Sequence, residues 1–145
     1  MRRDMQLVLE RWGGWAADSN TAVSWAPIAA GFKGLVVSSS SSRLSCCDDD
    51  GLVIDACVCR LQQVRKPEEL DVIMLYYVYG LTKREIGRRI RVSEMEVRRR
   101  ISIAEGFIEG CLCMLGVRLQ MDPEVEKQRF EKSASACRKN CATLV

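Results

Sequence analysis

Three groups of residues in this chain have the types and spacing to do chemistry. The first is the run Asp48-Asp49-Asp50, because clustered carboxylates can hold Mg²⁺ for nuclease or transferase work. Adjacent Asp side chains diverge in a helix or strand, and no DxD followed by a distant Glu stands out. The run is therefore read as the acidic start of a helix, where exposed N–H groups and the macrodipole favour carboxylates. The second group is the eight cysteines, Cys46, Cys47, Cys57, Cys59, Cys111, Cys113, Cys137 and Cys141. Cys57/Cys59 and Cys111/Cys113 sit two apart, which on a helix points them to different sides, and no CxxC pair or usual tetrad exists. They are read as thiols, with no metal and no other cofactor. The third group is basic: Lys83, Arg84, Arg88, Arg89, Arg91, Arg98, Arg99 and Arg100, set against Glu85, Glu94 and Glu96. The chain total is +3, so the +5 of this stretch leaves −2 for everything else. A basic block on a near-neutral body is the electrostatic footprint of a nucleic-acid contact, and its plain alternative is a solvated helix face.

Composition removes other classes. With 145 residues, 48% of them hydrophobic, the chain suits one domain and can build a core without disulfides or metals. The absence of His excludes Ser-His-Asp triads, HExxH zinc sites and His-containing zinc fingers. No enzyme is expected. The start MRRDMQLVLERWGGW has no apolar signal core, and the longest apolar run, Val72 to Tyr79, is far short of the roughly 20 residues a membrane span needs. A cytoplasmic protein with reduced thiols follows as the expectation.

The elements that must position the basic block read as all-α. Met5, Val8, Leu9, Trp12, Trp15 and Ala16 recur at helical spacing, with Gly13-Gly14 weakening the helix near its end. Pro27, Gly31 and Gly34 make the following stretch an irregular N-terminal loop segment, and Ser38 to Ser42 read as a flexible tether. Asp48-Asp49-Asp50 opens a helix through LVIDACVCRLQQV. Pro67 opens another through DVIMLYYVY, stopped at Gly80. Asp122-Pro123 reads as N-cap and first-turn Pro of a last, strongly polar helix. The expected organisation is a single helical body over 1–121, with a C-terminal helical appendage over 122–145.

Thr82 with Glu85, and Ser93 with Glu96, are two capping boxes eleven residues apart. They write a two-turn helix from Lys83 to Ile90, a turn at Arg91-Val92 and a second helix, which is helix-turn-helix spacing within 81–109. Ile86, Ile90, Val92, Val97 and Ile101 supply an apolar inner corner, and Gly87 is small where helices must approach closely. Beyond Val97, apolar positions at 101, 104, 108, 111 and 115 extend the second helix, with Gly106 and Gly110 marking a kink or a close helix contact. If Val97 points inward, Met95, Arg99 and Ser102 face outward, flanked by Arg98 and Glu96. Arg is shaped to bind guanine O6 and N7 bidentately, and Met95 suits a thymine methyl. Lys83, Arg84, Arg88, Arg89 and Arg100 are cast as phosphate contacts, joined by the Thr82 and Ser93 hydroxyls where capping leaves them free.

LTKREIGRRIRVSEMEVRRRISIAEGFI resembles the helix-turn-helix of sigma-factor region 4, with Arg91 where such turns often carry Gly. More specifically, LERWGGWAAD, WAPIAAGFKGL, CCDDDG, YYVYGLT, AEGFIEGCL and VRLQMDPEVE together resemble the antitermination Q family of lambdoid phages, of the type lacking a zinc finger. The resemblance runs from about Met1 to about Glu126. It implies a late-gene regulator acting in the bacterial host cell that binds double-stranded DNA near the phage late promoter, with room for two copies on the DNA. It further implies engagement of host RNA polymerase paused there with its sigma factor, and passage with it through terminators. A copy would extend the RNA exit channel around the nascent RNA as a nozzle too narrow for a terminator hairpin to nucleate. The competing function is a helix-turn-helix activator or sigma-like factor acting at initiation.

Overall fold

A computed structural model describes residues 3–18, 43–64 and 67–130. The irregular segment with Pro27, the serine run, Cys137 and Cys141 lie outside the described residues. Among those described, the helices are α1 (Met5–Asp18), α2 (Asp48–Val64), α3 (Pro67–Ile73), α4 (Lys83–Ile90), α5 (Glu94–Leu115) and a final α6 over 123–130, with no strand. The fold class is all-α. None of these helices is long and apolar enough to cross a membrane.

Helix α1 buries Met5, Val8, Leu9, Trp12 and Trp15, the face that its spacing dictates. Gly13 and Gly14 have a different role from the one expected. A Cβ on Gly13 would stand 2.1 Å from the Tyr77 carbonyl oxygen, and one on Gly14 would stand 2.0 Å from that of Leu44. The pair costs helix propensity but lets two backbones touch α1, so it is a packing device and not a weak end. Gly51 does the same on α2, leaving space for the Trp15 ring, 2.4 Å from where its Cβ would be. The Trp15 indole N–H then donates to Asp48 at 2.9 Å.

The DVIMLYYVY run is not one uniform helix. After α3 it widens into a π-helical turn over Met74–Val78, with the Tyr79 N–H bonded to the Met74 carbonyl at 3.1 Å. The wide turn lies against α1 at Gly13 and ends at Gly80, whose φ is +71°. Its last carbonyls are satisfied from outside: the Arg43 guanidinium donates to the oxygens of Val78 (2.9 Å) and Tyr77 (2.6 Å). A cation on a helical C-terminus is favoured by the dipole as well as by the unpaired carbonyls.

Helix α5 is the spine. It packs against α1, α2, α3 and α4, and buries Val97, Ile101, Ala104, Ile108 and Leu112. The expected ridge placed 111 and 115 inside. Instead Cys111 is half-buried and Leu115 is 61% exposed. Periodicity assumes a partner helix running alongside to the end, whereas here the chain turns back at Gly116 (φ +61°) and sends Leu119 into the core. Gly106 and Gly110 mark no close helix contact: α5 runs through both positions, and nothing lies within 4 Å of a Cβ added at either.

Buried carboxylates hold the return. Asp50 accepts the backbone N–H groups of Gln120 (2.9 Å) and Met121 (3.1 Å), so the acidic run at the start of α2 does more than complement a dipole. Asp122 does not cap α6 with its side chain. Its carboxylate is spent backward, on the Leu119 N–H at 2.8 Å and on Arg3 at 2.9 and 3.0 Å, and the same Arg3 also donates to the Val117 carbonyl. Only the Asp122 carbonyl serves α6, accepting from Val125 and Glu126.

Two glycine substitutions separate packing from propensity. Gly13→Ala is expected to destabilise by about 2 kcal/mol, because overpacking against backbone outweighs the gain in helix propensity. Gly106→Ala is expected to stabilise by about 0.5–1 kcal/mol. Urea unfolding midpoints measure both, and a stabilised Gly13→Ala protein would contradict the close approach.

Candidate nucleic-acid interface

The basic stretch folds into a short helix, a tight turn and a long helix. Thr82 caps α4 reciprocally: its hydroxyl oxygen accepts from the Glu85 N–H at 3.3 Å, and the Thr82 N–H donates to the Glu85 carboxylate at 2.9 Å. That carboxylate is held below its ordinary range by these hydrogen bonds. Ser93 forms only half of the expected second box. Its hydroxyl accepts from the Glu96 N–H at 3.2 Å, but the Glu96 carboxylate goes to two arginines, because charge-assisted bonds to guanidinium outcompete a neutral backbone donor.

Between the helices, Arg91 adopts the left-handed conformation, φ 58° and ψ 44°. Glycine suits that backbone, and a side chain there is strained. Gly87 lies beneath the turn: a Cβ on it would be 2.8 Å from the Val92 carbonyl oxygen, and the Val92 N–H donates to Gly87 at 2.9 Å. The inner corner forms as its sequence requires, with Ile86, Val97 and Ile101 buried and Ile90 and Val92 packed against them.

The outer face follows from that corner. Met95 is 80% exposed, the side chains of Arg98 and Arg99 are 64% and 61% exposed, and Ser102 is exposed. On α4, Arg84, Arg88 and Arg89 are exposed, while Lys83 sits over the Tyr76 ring at 5.2 Å. Arg100 is different. Its side chain is only 16% exposed, held by Glu96 at 2.9 Å and by Glu68 of α3 at 3.5 Å. The Thr82 and Ser93 hydroxyls are both engaged in capping.

The ion pairs of Glu94 and Glu96 with the arginines of their own helix are the feature missed when Glu96 is read as a capping residue and Glu94 only as a charge. Glu94 accepts two bonds from Arg98, and Glu96 forms a two-point fork with Arg99, Nε to Oε2 at 2.8 Å and Nη2 to Oε1 at 2.7 Å. The signal was present in EMEVRRR, where acids precede bases by three and four positions. The two arginines hold the Glu96 carboxyl down at about 2.

The other chemistry-bearing groups are structural. Burial pushes the Cys46 and Cys57 thiols up to about 11, away from reactive thiolate. Burial likewise raises the Tyr77 phenol, which donates to Glu105. Among the described residues no group of three or more Cys, Asp or Glu is placed to hold a metal ion.

These features define an all-α protein whose positive charge is gathered on the outside of one helical pair. Residues 2–120 match the phage antitermination protein Q family, and the chain belongs to that family of transcription antitermination factors. It is 59% identical, over the full length of both chains, to a probable antitermination protein Q of Acyrthosiphon pisum secondary endosymbiont phage 1. It is 47% identical to the antitermination protein Q of Escherichia phage 933W, over 87% of each chain. It is 45% identical to a prophage antitermination protein Q homolog, QuuD, of Escherichia coli, over 83% of this chain and 94% of the relative. No solved structure matches it.

Two measurements probe the turn and the face. Arg91→Gly is expected to raise stability by about 1 kcal/mol in denaturant unfolding, by relieving the left-handed conformation. Glu96 has a folded value of about 2, below its ordinary 4.5. Its contribution to stability is therefore present above the unfolded value and lost as pH falls through about 2. A carboxyl NMR titration should give that midpoint and should move it upward in Arg99→Ala. An ordinary midpoint in the wild-type protein would mean that the fork does not form in solution.

Proposed function

We propose that this chain binds double-stranded DNA near the phage late promoter through a helix-turn-helix formed by α4 and α5. From there it loads onto host RNA polymerase paused with its sigma factor and lets the enzyme read through terminators. The observation that carries the DNA step is the division of α5, with Val97 and Ile101 in the core and Met95, Arg98, Arg99 and Ser102 turned to solvent. An α-helix fits the major groove, and Arg99 and Met95 are the side chains that would read guanine and thymine edges. Lys83, Arg84, Arg88 and Arg89 lie on the preceding helix, where phosphate contacts set register without reading sequence.

Membership of the antitermination family supports the polymerase step. A copy at the RNA exit lengthens and narrows the channel around the nascent RNA. Single-stranded RNA passes and an A-form hairpin does not nucleate. The mechanism needs occupancy and shape, with no catalysis, and its setting is the cytoplasm of the host cell.

In vitro transcription from a phage late promoter with a terminator downstream tests the reading. Added protein should raise readthrough while leaving initiation unchanged. Raised initiation with unchanged termination would favour an activator or sigma-like factor instead. Arg99→Ala should cost about 1–3 kcal/mol in DNA binding and relax preference at one base pair. Arg88→Ala should weaken binding evenly across sequences and reduce the salt slope by about 1. An even loss across all sequences in Arg99→Ala would overturn its base-reading role.

A further inference from the structure

We propose that Glu96 is a specificity-determining positioning residue that aims Arg99 at a base edge, and that Arg100 and Glu68 anchor Glu96 for that task. This rests on the DNA-reading role of α5 given above.

A guanidinium has two usable edges, one formed by Nε and Nη2 and one by the two terminal nitrogens. Glu96 occupies the first edge of Arg99 with both of its oxygens, at 2.8 and 2.7 Å. The edge left open is the terminal fork, which is the pair of donors that matches guanine O6 and N7. An unheld Arg on an exposed helix face samples many rotamers, and each must be given up on binding. A held one presents its fork beforehand.

Glu96 can do this because it is itself fixed. Its Oε1 also accepts Arg100 Nε at 2.9 Å, and Arg100 Nη2 reaches Glu68 Oε2 of α3 at 3.5 Å. The Arg100 side chain is 16% exposed and that of Glu96 29%, against 61% for Arg99, so shelter from solvent decreases from Arg100 outward to the reading group, while Glu68 meets Arg100 from an exposed position on α3. Arg100 therefore serves as an anchor within the protein and not as a phosphate contact. Its charge also offsets the carboxylate that Glu96 brings toward DNA. Glu94 holds Arg98 less rigidly: both Arg98 donors go to one oxygen, and the other lies 3.9 Å from exposed Arg84.

The test is selection from a duplex pool with a randomised core, using the full chain, followed by sequencing of the bound fraction. The wild-type protein should enrich a defined site, and Arg99→Ala should lose preference at one position by about tenfold. Glu96→Gln and Glu96→Asp should both lose several-fold at that same position only, while affinity for the unselected pool is kept or rises because a negative charge is removed or withdrawn. Glu68→Gln should lose less, at the same position. Thermal melting of each variant confirms folding. If Arg99→Ala loses its position and Glu96→Gln keeps it, or if Glu96→Gln lowers preference evenly everywhere, the positioning role is wrong while the DNA reading stands. If the wild-type protein enriches no sequence, both fall together.

Discussion

Burial of one apolar ridge along α5 is the constraint on which the rest of the structure depends. Val97, Ile101, Ala104, Ile108 and Leu112 are each less than 5% exposed, on a helix that packs against α1, α2, α3 and α4. A helix has a fixed angle per residue, so committing these positions to the core leaves no freedom for Met95, Arg98, Arg99 and Ser102. They must point outward, away from the core. The outward face is thus the remainder of a packing decision. Any change that rotates α5 would move the candidate reading residues together.

The second constraint is that backbone polar groups at the return from α5 must find partners inside the fold. Asp50 and Asp122 supply them, 4% and 1% exposed, binding three N–H groups between Leu119 and Met121 and the Arg3 guanidinium. Removing one partner of such a buried set is costly because the other is left desolvated. Asp50 belongs to a run that could suggest a metal site and Asp122 reads as a helix cap, yet both carboxylates accept from the chain itself. Close backbone approach does the matching work on the other side, where Gly13 admits the Tyr77 carbonyl and Arg43 closes the π-helical turn.

A protein with a net charge of +3 concentrates its basic side chains on α4 and α5 and then tempers them. Arg98 and Arg99 are each paired with a carboxylate on their own helix. Such exposed pairs add little stability, and their consequence lies in orientation and in moderating the local field. A weaker field favours sequence-dependent contacts over indiscriminate phosphate binding.

The sequence by itself determined the helices, their polarity and the short-range signals that bound them. Capping at Thr82 and Ser93, the stop at Gly80, the inward face of α1 and the inner corner at Ile86 and Val97 all depend on residues within a turn or two of each other, where spacing and geometry are nearly the same thing. Tertiary structure decided what depends on partners distant in the chain. Gly13 and Gly14 are weak helix formers until Tyr77 and Leu44 arrive. Asp50 is a dipole complement until Gln120 and Met121 fold back, and the end of α5 buries Leu112 and leaves Cys111 half-buried, with Leu119 returning to the core after Gly116. Arg100 turns inward because Glu68 of α3 waits there. Periodicity reports which residues share a face, but only packing says which neighbour covers that face and where the cover ends.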